Sequence, residues 1–253
     1  SLITKYYALE AKKAPDFDEN LQVLHAWGGR QKPGLYSSIC RKYGILPLTL
    51  GDVRGRGDGL AYIYKDLLKR IGSVIVPEYD LVLIDEAQDF PNEVFELIYK
   101  ITKGEPGEKR IIWAYDEFQS LRDVQIKEPA ELFGVDNEGN PNMPDTVLSG
   151  AYPGGIAKDF VLPNCYRTPR PILMVAHGVA LGLYSGSPND MFYESHEWRK
   201  IGYQVNLPQS MFISVGDEVE IERSDENSKN TLERIMLDNS KRPLNLVQCV
   251  KYD

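Results

Sequence analysis

Two adjacent carboxylates, Asp85 and Glu86, follow directly on the apolar run Leu81-Val82-Leu83-Ile84 and lead into Ala87-Gln88-Asp89. Such a run, bounded by polar residues, reads as a strand buried on both faces. The acids then sit at its carboxyl end, the edge where open α/β sheets bind ligands. Paired carboxylates there suit a phosphate–magnesium site. Asp85 would hold the ion, directly or through water, and Glu86 would orient and deprotonate a water. Acids after a strand also commonly do no more than cap the next helix, and Asp89 ahead of Phe90-Pro91 suits that duty. A second apolar run, Arg110-Ile111-Ile112-Trp113-Ala114-Tyr115, ends in Asp116-Glu117-Phe118-Gln119. Gln119 follows Glu86 by 33 positions (119 − 86). Brought to the same sheet edge, its amide can donate to a γ-phosphate and accept from an attacking water.

The elements that must position these residues are legible around them. Between the two strands, Pro91-Asn92-Glu93-Val94 opens a helix with Val94, Leu97, Ile98 and Ile101 on one face, and Gly104 ends it. Strand, helix, strand at this spacing is a βαβ unit with parallel strands and a right-handed crossover. Upstream, Leu60, Ile63, Leu67, Leu68 and Ile71 have helical spacing, with Gly72 at the C-terminus. The opening residues 1–9 read as a strand leading into a helix. Leu21-Gln22-Val23-Leu24 alternates as a strand into His25 and Trp27. Gly51 to Gly59 is glycine-rich without Gly-Lys-Ser/Thr and reads as a mobile loop rather than a phosphate cradle. Residues 123–159 are irregular, with turns at Asn137 to Asn142 and Pro153-Gly154-Gly155. A helix is expected from Pro171, a helix end turning into a strand at 197–205, strand and turn over 211–223, a capped helix near 224–232 and a last strand at 245–250.

Composition sets the bounds. A chain of 253 residues with 42% hydrophobic and 26% charged residues is one large globular domain or two small ones. No stretch approaches a membrane span, and the first residues lack a signal-peptide pattern. Cys40, Cys165 and Cys249 are far apart and odd in number, which suggests neither a zinc site nor a disulfide framework. A reducing, cytoplasmic setting is expected. A net charge of −8 argues against coating nucleic acid by bulk charge, but not against a local basic channel. Arg30, Lys32, Arg41, Lys42, Arg54 and Arg56, interleaved with Tyr36 and Tyr43, form the most basic stretch. It reads equally as a backbone-contacting surface or as a solvated face.

Three separated strings carry a family resemblance. Asp85-Glu86-Ala87-Gln88-Asp89 resembles the acidic (Walker B) motif of UvrD/Rep-like superfamily 1 helicases. Tyr115-Asp116-Glu117-Phe118-Gln119-Ser120-Leu121 is similar to their Gly-Asp-x-x-Gln-x-Ile pattern, with Tyr115 in place of the glycine. Leu162-Pro163-Asn164-Cys165-Tyr166-Arg167-Thr168 is similar to Leu-x-x-Asn-Tyr-Arg-Ser/Thr, with Cys165 inserted between Asn164 and Tyr166. His25 and Trp27 match a Thr-x-His-x-aromatic segment that lies near nucleic acid in that family.

The resemblance implies an α/β P-loop NTPase (RecA-like) fold, a parallel sheet flanked by helices. Residues 1–125 would be a partial first motor domain, 126–159 an irregular connection and 160–253 part of a second RecA-like domain. It implies ATP hydrolysis coupled to translocation and unwinding of single-stranded nucleic acid, DNA first, with ATP and Mg2+ as cofactors of the full-length protein and no membrane partner. Glu86 would be the general base, Gln119 the γ-phosphate sensor and Arg167 a charge stabiliser. Asp85 and Asp116 would lie at the nucleotide, Tyr166 would stack on its base, and Asp85 with Glu86 would hold the metal. His25, Trp27 and Arg30 would touch the nucleic acid.

Parts of such a motor are missing. No Gly-x-x-x-x-Gly-Lys-Ser/Thr occurs, and the later motifs of a second motor domain are not recognisable. The similarity covers about residues 1–180, so an internal fragment, inactive by itself, is expected. The alternatives are a non-catalytic nucleic-acid- or protein-binding module on a degenerate helicase scaffold, and a nucleotide-sensing ATPase without unwinding activity.

Overall fold

The computed structural model describes residues 2–29, 32–116, 127–162, 164–165, 168, 170–182, 198, 202–206 and 220–223. The chain divides into two compact units, Ser1–Val147 and Leu148–Asp253.

In the first unit, the amphipathic periodicity of residues 59–71 forms helix α3 (Gly59–Ile71), which follows α1 (Leu2–Ala11) and α2 (Leu35–Lys42). The Asp58 carboxylate caps α3 by accepting the Leu60 and Ala61 N–H groups, two donors that the helix itself cannot satisfy. Ile63, Tyr64, Leu67 and Ile71 are its buried face. The helix stops at Gly72 in right-handed backbone, φ −52°. The first N–H groups of α2 find partners in the preceding chain: those of Leu35, Tyr36 and Ser37 donate to the carbonyls of His25, Ala26 and Trp27. That contact requires glycine at two positions. A Cβ on Gly28 (φ +81°) would stand 2.3 Å from the Gly34 nitrogen, and one on Gly34 would meet Gly28 as closely.

Strand β1 (Val82–Ile84) pairs in parallel with β2 (Ile111–Trp113), Val82 opposite Ile111 and Ile84 opposite Trp113. Helix α4 (Asn92–Ile101) connects them and buries Val94, Phe95, Leu97, Ile98 and Ile101. The core joins buried residues of α2, α3 and α4 to one face of the strand pair, through Ile84 and Ile111. Burial pushes the Tyr36 and Tyr64 phenols and the Cys40 thiol up from their ordinary pKa values, since an anion there would lose its hydration.

Residues 127–147 also belong to this core. They include helix α5 (Pro129–Leu132), tied to α4 by Asn92, whose side-chain amide donates to the Glu131 carbonyl at 2.7 Å. Phe133, fully buried, sets its ring edge-on to Phe95 at 5.5 Å and to Trp113 at 5.3 Å. The unit boundary therefore falls at Val147, inside the stretch 126–159 that the sequence reads as one connection.

In the second unit, α6 (Arg170–Ala180) is followed by an antiparallel pair, β3 (Tyr203–Asn206) and β4 (Glu220–Arg223). Tyr203 is buried, with its hydroxyl 2.9 Å from His177 Nδ1. The architecture is thus mixed α/β with two small sheets among the described residues, one parallel and one antiparallel. No helix among them is long and apolar enough to cross a membrane.

Several local expectations are corrected. The described opening residues, from Leu2, form a helix rather than a strand leading into one. The stretch at residues 21–28 makes a single bridge, His25 to Gly34, rather than a strand, because its carbonyls are committed to the start of α2. The first strand is not buried on both faces: Leu83 and its register partner Ile112 are 66% and 54% exposed. Asp89 does not cap α4, whose N-cap is Pro91; it ends a 3-10 turn, Ala87–Asp89. Helix α4 ends at Ile101, three residues before Gly104. The expected elements at 224–232 and 245–250 lie outside the described residues.

Phe133→Ala should lower the unfolding free energy of the first unit by about 3–5 kcal/mol in urea titrations. An effect below about 1 kcal/mol would mean that residues 127–147 are not part of its core.

Candidate functional site

The ladder between β1 and β2 decides the geometry of the acids. The Val82 N–H donates to the Arg110 carbonyl, an offset of 28 residues (110 − 82). The Ala114 N–H donates back to the Ile84 carbonyl at 2.8 Å. An uninterrupted ladder with the same offset would give the Ala114 carbonyl to the Glu86 N–H (114 − 28). It goes instead to the Ala87 N–H, at 2.8 Å. One residue more than the ladder needs is therefore held between Ile84 and Ala87, as in a β-bulge.

Glu86 absorbs the extra length. Its backbone is left-handed, φ 52° and ψ 46°, a region in which a non-glycine residue costs about 1–2 kcal/mol. Its N–H, displaced from the ladder, lies 3.2 Å from Asp85 Oδ1, which accepts it. Both acids are exposed at the carboxyl end of the strand. The turn that follows brings Gln88 back over the neighbouring strand. There Gln88 Oε1 accepts the Asp116 N–H at 3.0 Å, and Gln88 Nε2 donates to Glu86 Oε2 at 2.7 Å. Glu86 and the tip of β2 are thus joined through one side chain.

Asp85, Glu86 and Asp116 accordingly gather at one end of the parallel pair. Glu117, Gln119, Tyr166 and Arg167 lie outside the described residues, as does Arg30. Among the described residues no three His, Cys, Asp or Glu side chains converge on a metal-sized gap. Two carboxylates are nonetheless a sufficient protein share for Mg2+, which commonly takes one or two and completes its shell with phosphate and water.

His25 and Trp27 occupy a different part of the unit, beside α2. His25 is exposed, and its carbonyl accepts the Leu35 N–H. Trp27 is half-buried against the core, and its indole N–H donates to the Leu48 carbonyl at 3.1 Å. The nearby basic side chains also have partners. Lys42 pairs with Glu78 at 2.6 Å, Arg41 donates to Ser37 Oγ, and the Arg56 guanidinium lies 4.7 Å from the centre of the Tyr62 ring. Arg54 is exposed.

Sequence reasoning gave Gln88 no role of its own, though it sits inside the acidic string. Its partner at Asp116 is 28 positions away (116 − 88), and only the parallel pairing of the strands brings the two together. Comparison of the chain with protein-family models, with curated proteins and with solved structures gives no match in any of the three.

Glycine adopts the backbone of residue 86 without a Cβ penalty. Glu86→Gly should therefore leave the unfolding midpoint unchanged or raise stability by up to about 1 kcal/mol. A loss of more than about 1 kcal/mol would show that the glutamate side chain holds the turn together, which is a structural duty rather than a chemical one.

Proposed function

We propose that the chain is part of a UvrD/Rep-like superfamily 1 helicase motor, in which ATP hydrolysis drives movement along single-stranded nucleic acid, DNA in the first instance. What carries the reading is the meeting of two acid-bearing strand ends. Asp85-Glu86 ends β1, Asp116 follows parallel β2, and Gln88 ties the two. Strand ends of this kind are where α/β sheets bind nucleotides.

In this reading the first motor domain is a P-loop (RecA-like) sheet, of which β1 and β2 are the described strands. Mg2+ bound with the nucleotide would neutralise phosphate charge. Asp85 would orient that ion. Glu86, turned out of the ladder by its left-handed backbone, would hold the attacking water and accept its proton. Gln119 is proposed as the γ-phosphate sensor, Arg167 as a charge stabiliser and Tyr166 as the stacking partner of the base. Glu86 and Gln119 need a phosphate cradle to act on. These 253 residues contain no Gly-Lys-Ser/Thr loop, so turnover belongs to a polypeptide or complex that supplies one. His25, Trp27 and Arg30 are proposed as strand contacts; with its indole engaged by Leu48, Trp27 would offer a ring face rather than its N–H.

ATP turnover stimulated by single-stranded DNA, measured on the polypeptide or complex that contains both this chain and a phosphate loop, tests the reading. Glu86→Gln should lower kcat by about 10²–10⁴-fold with little change in KM for ATP. The 253-residue chain alone should hydrolyse ATP negligibly. Robust turnover by the chain alone, or unchanged kcat in Glu86→Gln, would contradict the assignment. Absence of turnover from the loop-bearing form would favour a non-catalytic module that binds nucleic acid or protein.

A further inference from the structure

Gln88 is half-buried between two groups of fixed and opposite hydrogen-bonding character. On one side is a backbone N–H, that of Asp116, which can only donate. On the other is a carboxylate oxygen, Glu86 Oε2, which can only accept. A side chain that bridges them must present an acceptor to the first and a donor to the second. Glutamine does both with one planar amide, and this also fixes which end of the amide faces which partner. An ionised glutamate would satisfy Asp116 but repel Glu86, and asparagine is one methylene shorter. We propose that Gln88 is the positioning residue of Glu86: it holds the carboxylate toward the tip of β2, so that the location of Glu86 depends on that of the backbone at Asp116. The inference rests on the reading of Glu86 as the base for its functional meaning, but the linkage itself is a property of the folded chain.

The consequence is a specific dependence between two strand ends. Residues 85 and 86 are anchored through Ala114 on both sides, so their backbone has little freedom. The Glu86 side chain is exposed and would otherwise sample several rotamers. The bond from Gln88 selects among them. A shift of the backbone at Asp116 would be passed to the Glu86 carboxylate through a single rigid amide, and a displacement of about 1 Å at a reacting group can cost about 10²-fold in rate.

Two variants separate the halves of the bridge, read by NMR on the 253-residue chain. Gln88→Ala removes both bonds: the Asp116 amide should exchange with solvent about tenfold faster, and side-chain couplings of Glu86 should show rotamer averaging. Gln88→Glu keeps the acceptor and removes the donor. It should preserve protection at Asp116 and still release Glu86. Glu86 rotamers unchanged in both variants, or Asp116 protection lost equally in both, would overturn the proposal. In the loop-bearing form both variants should lower kcat by about 10–100-fold with KM for ATP unchanged. If the wild type lacks turnover, the helicase reading fails while the NMR measurements still decide the role of Gln88. Turnover that both variants leave intact would remove Gln88 from the mechanism and leave the helicase reading standing.

Discussion

Ala114 holds the chain on both sides of Asp85 and Glu86, through its N–H to Ile84 and its carbonyl to Ala87. With both ends fixed and one residue too many between them, the acids are forced out of the ladder at the carboxyl end of the sheet. Three features of the first unit follow from that misfit: the left-handed backbone of Glu86, the 3-10 turn after it, and the return of Gln88 to Asp116. The strain is of order 1–2 kcal/mol. It is modest beside what the buried faces of α3 and α4 contribute, since each fully buried Leu, Ile or Phe side chain adds about 1.5–3 kcal/mol. The packed layer beneath the strands therefore makes the strained turn tolerable.

Much of that layer was legible in the sequence. The spacing of Leu60, Ile63, Leu67 and Ile71 gives α3, and that of Val94, Leu97, Ile98 and Ile101 gives α4, because helical periodicity is a local property. The parallel pairing of β1 and β2 follows from the helix-length connection between them. What failed depends on partners distant in sequence. The alternation of residues 21–24 looks like a strand, but the carbonyls that follow it serve the start of α2, a duty that only tertiary contact reveals. Leu83 and Ile112 read as core and stand exposed together, because burial of a strand's second face requires another layer that no local pattern guarantees.

The candidate site was legible to a similar depth and for the same reason. Asp85, Glu86 and Asp116 announce themselves by type and by position after apolar runs. The bulge does not, because it is a mismatch between two offsets, 28 at Val82 (110 − 82) and 27 at Ala87 (114 − 87), and neither strand shows it alone. Gln88 was visible as a letter in an acidic string, but its function as a bridge exists only once Asp116 arrives beside it. His25 and Trp27 illustrate the converse. Their types suggest contact with nucleic acid, while Trp27 already spends its indole N–H on the Leu48 carbonyl within the unit.

The central claim is that the joined ends of β1 and β2 form a metal–nucleotide site. Amide NMR spectra of the polypeptide or complex that contains both this chain and a phosphate loop, with ATP and substoichiometric Mn2+, test it most directly, since paramagnetic broadening marks the residues around the ion without requiring turnover. Broadening centred on Asp85, Glu86 and Asp116 is the expected result. Broadening centred instead on the turn at residues 136–140, where Asp136 offers another exposed carboxylate, or no selective broadening anywhere, would contradict it.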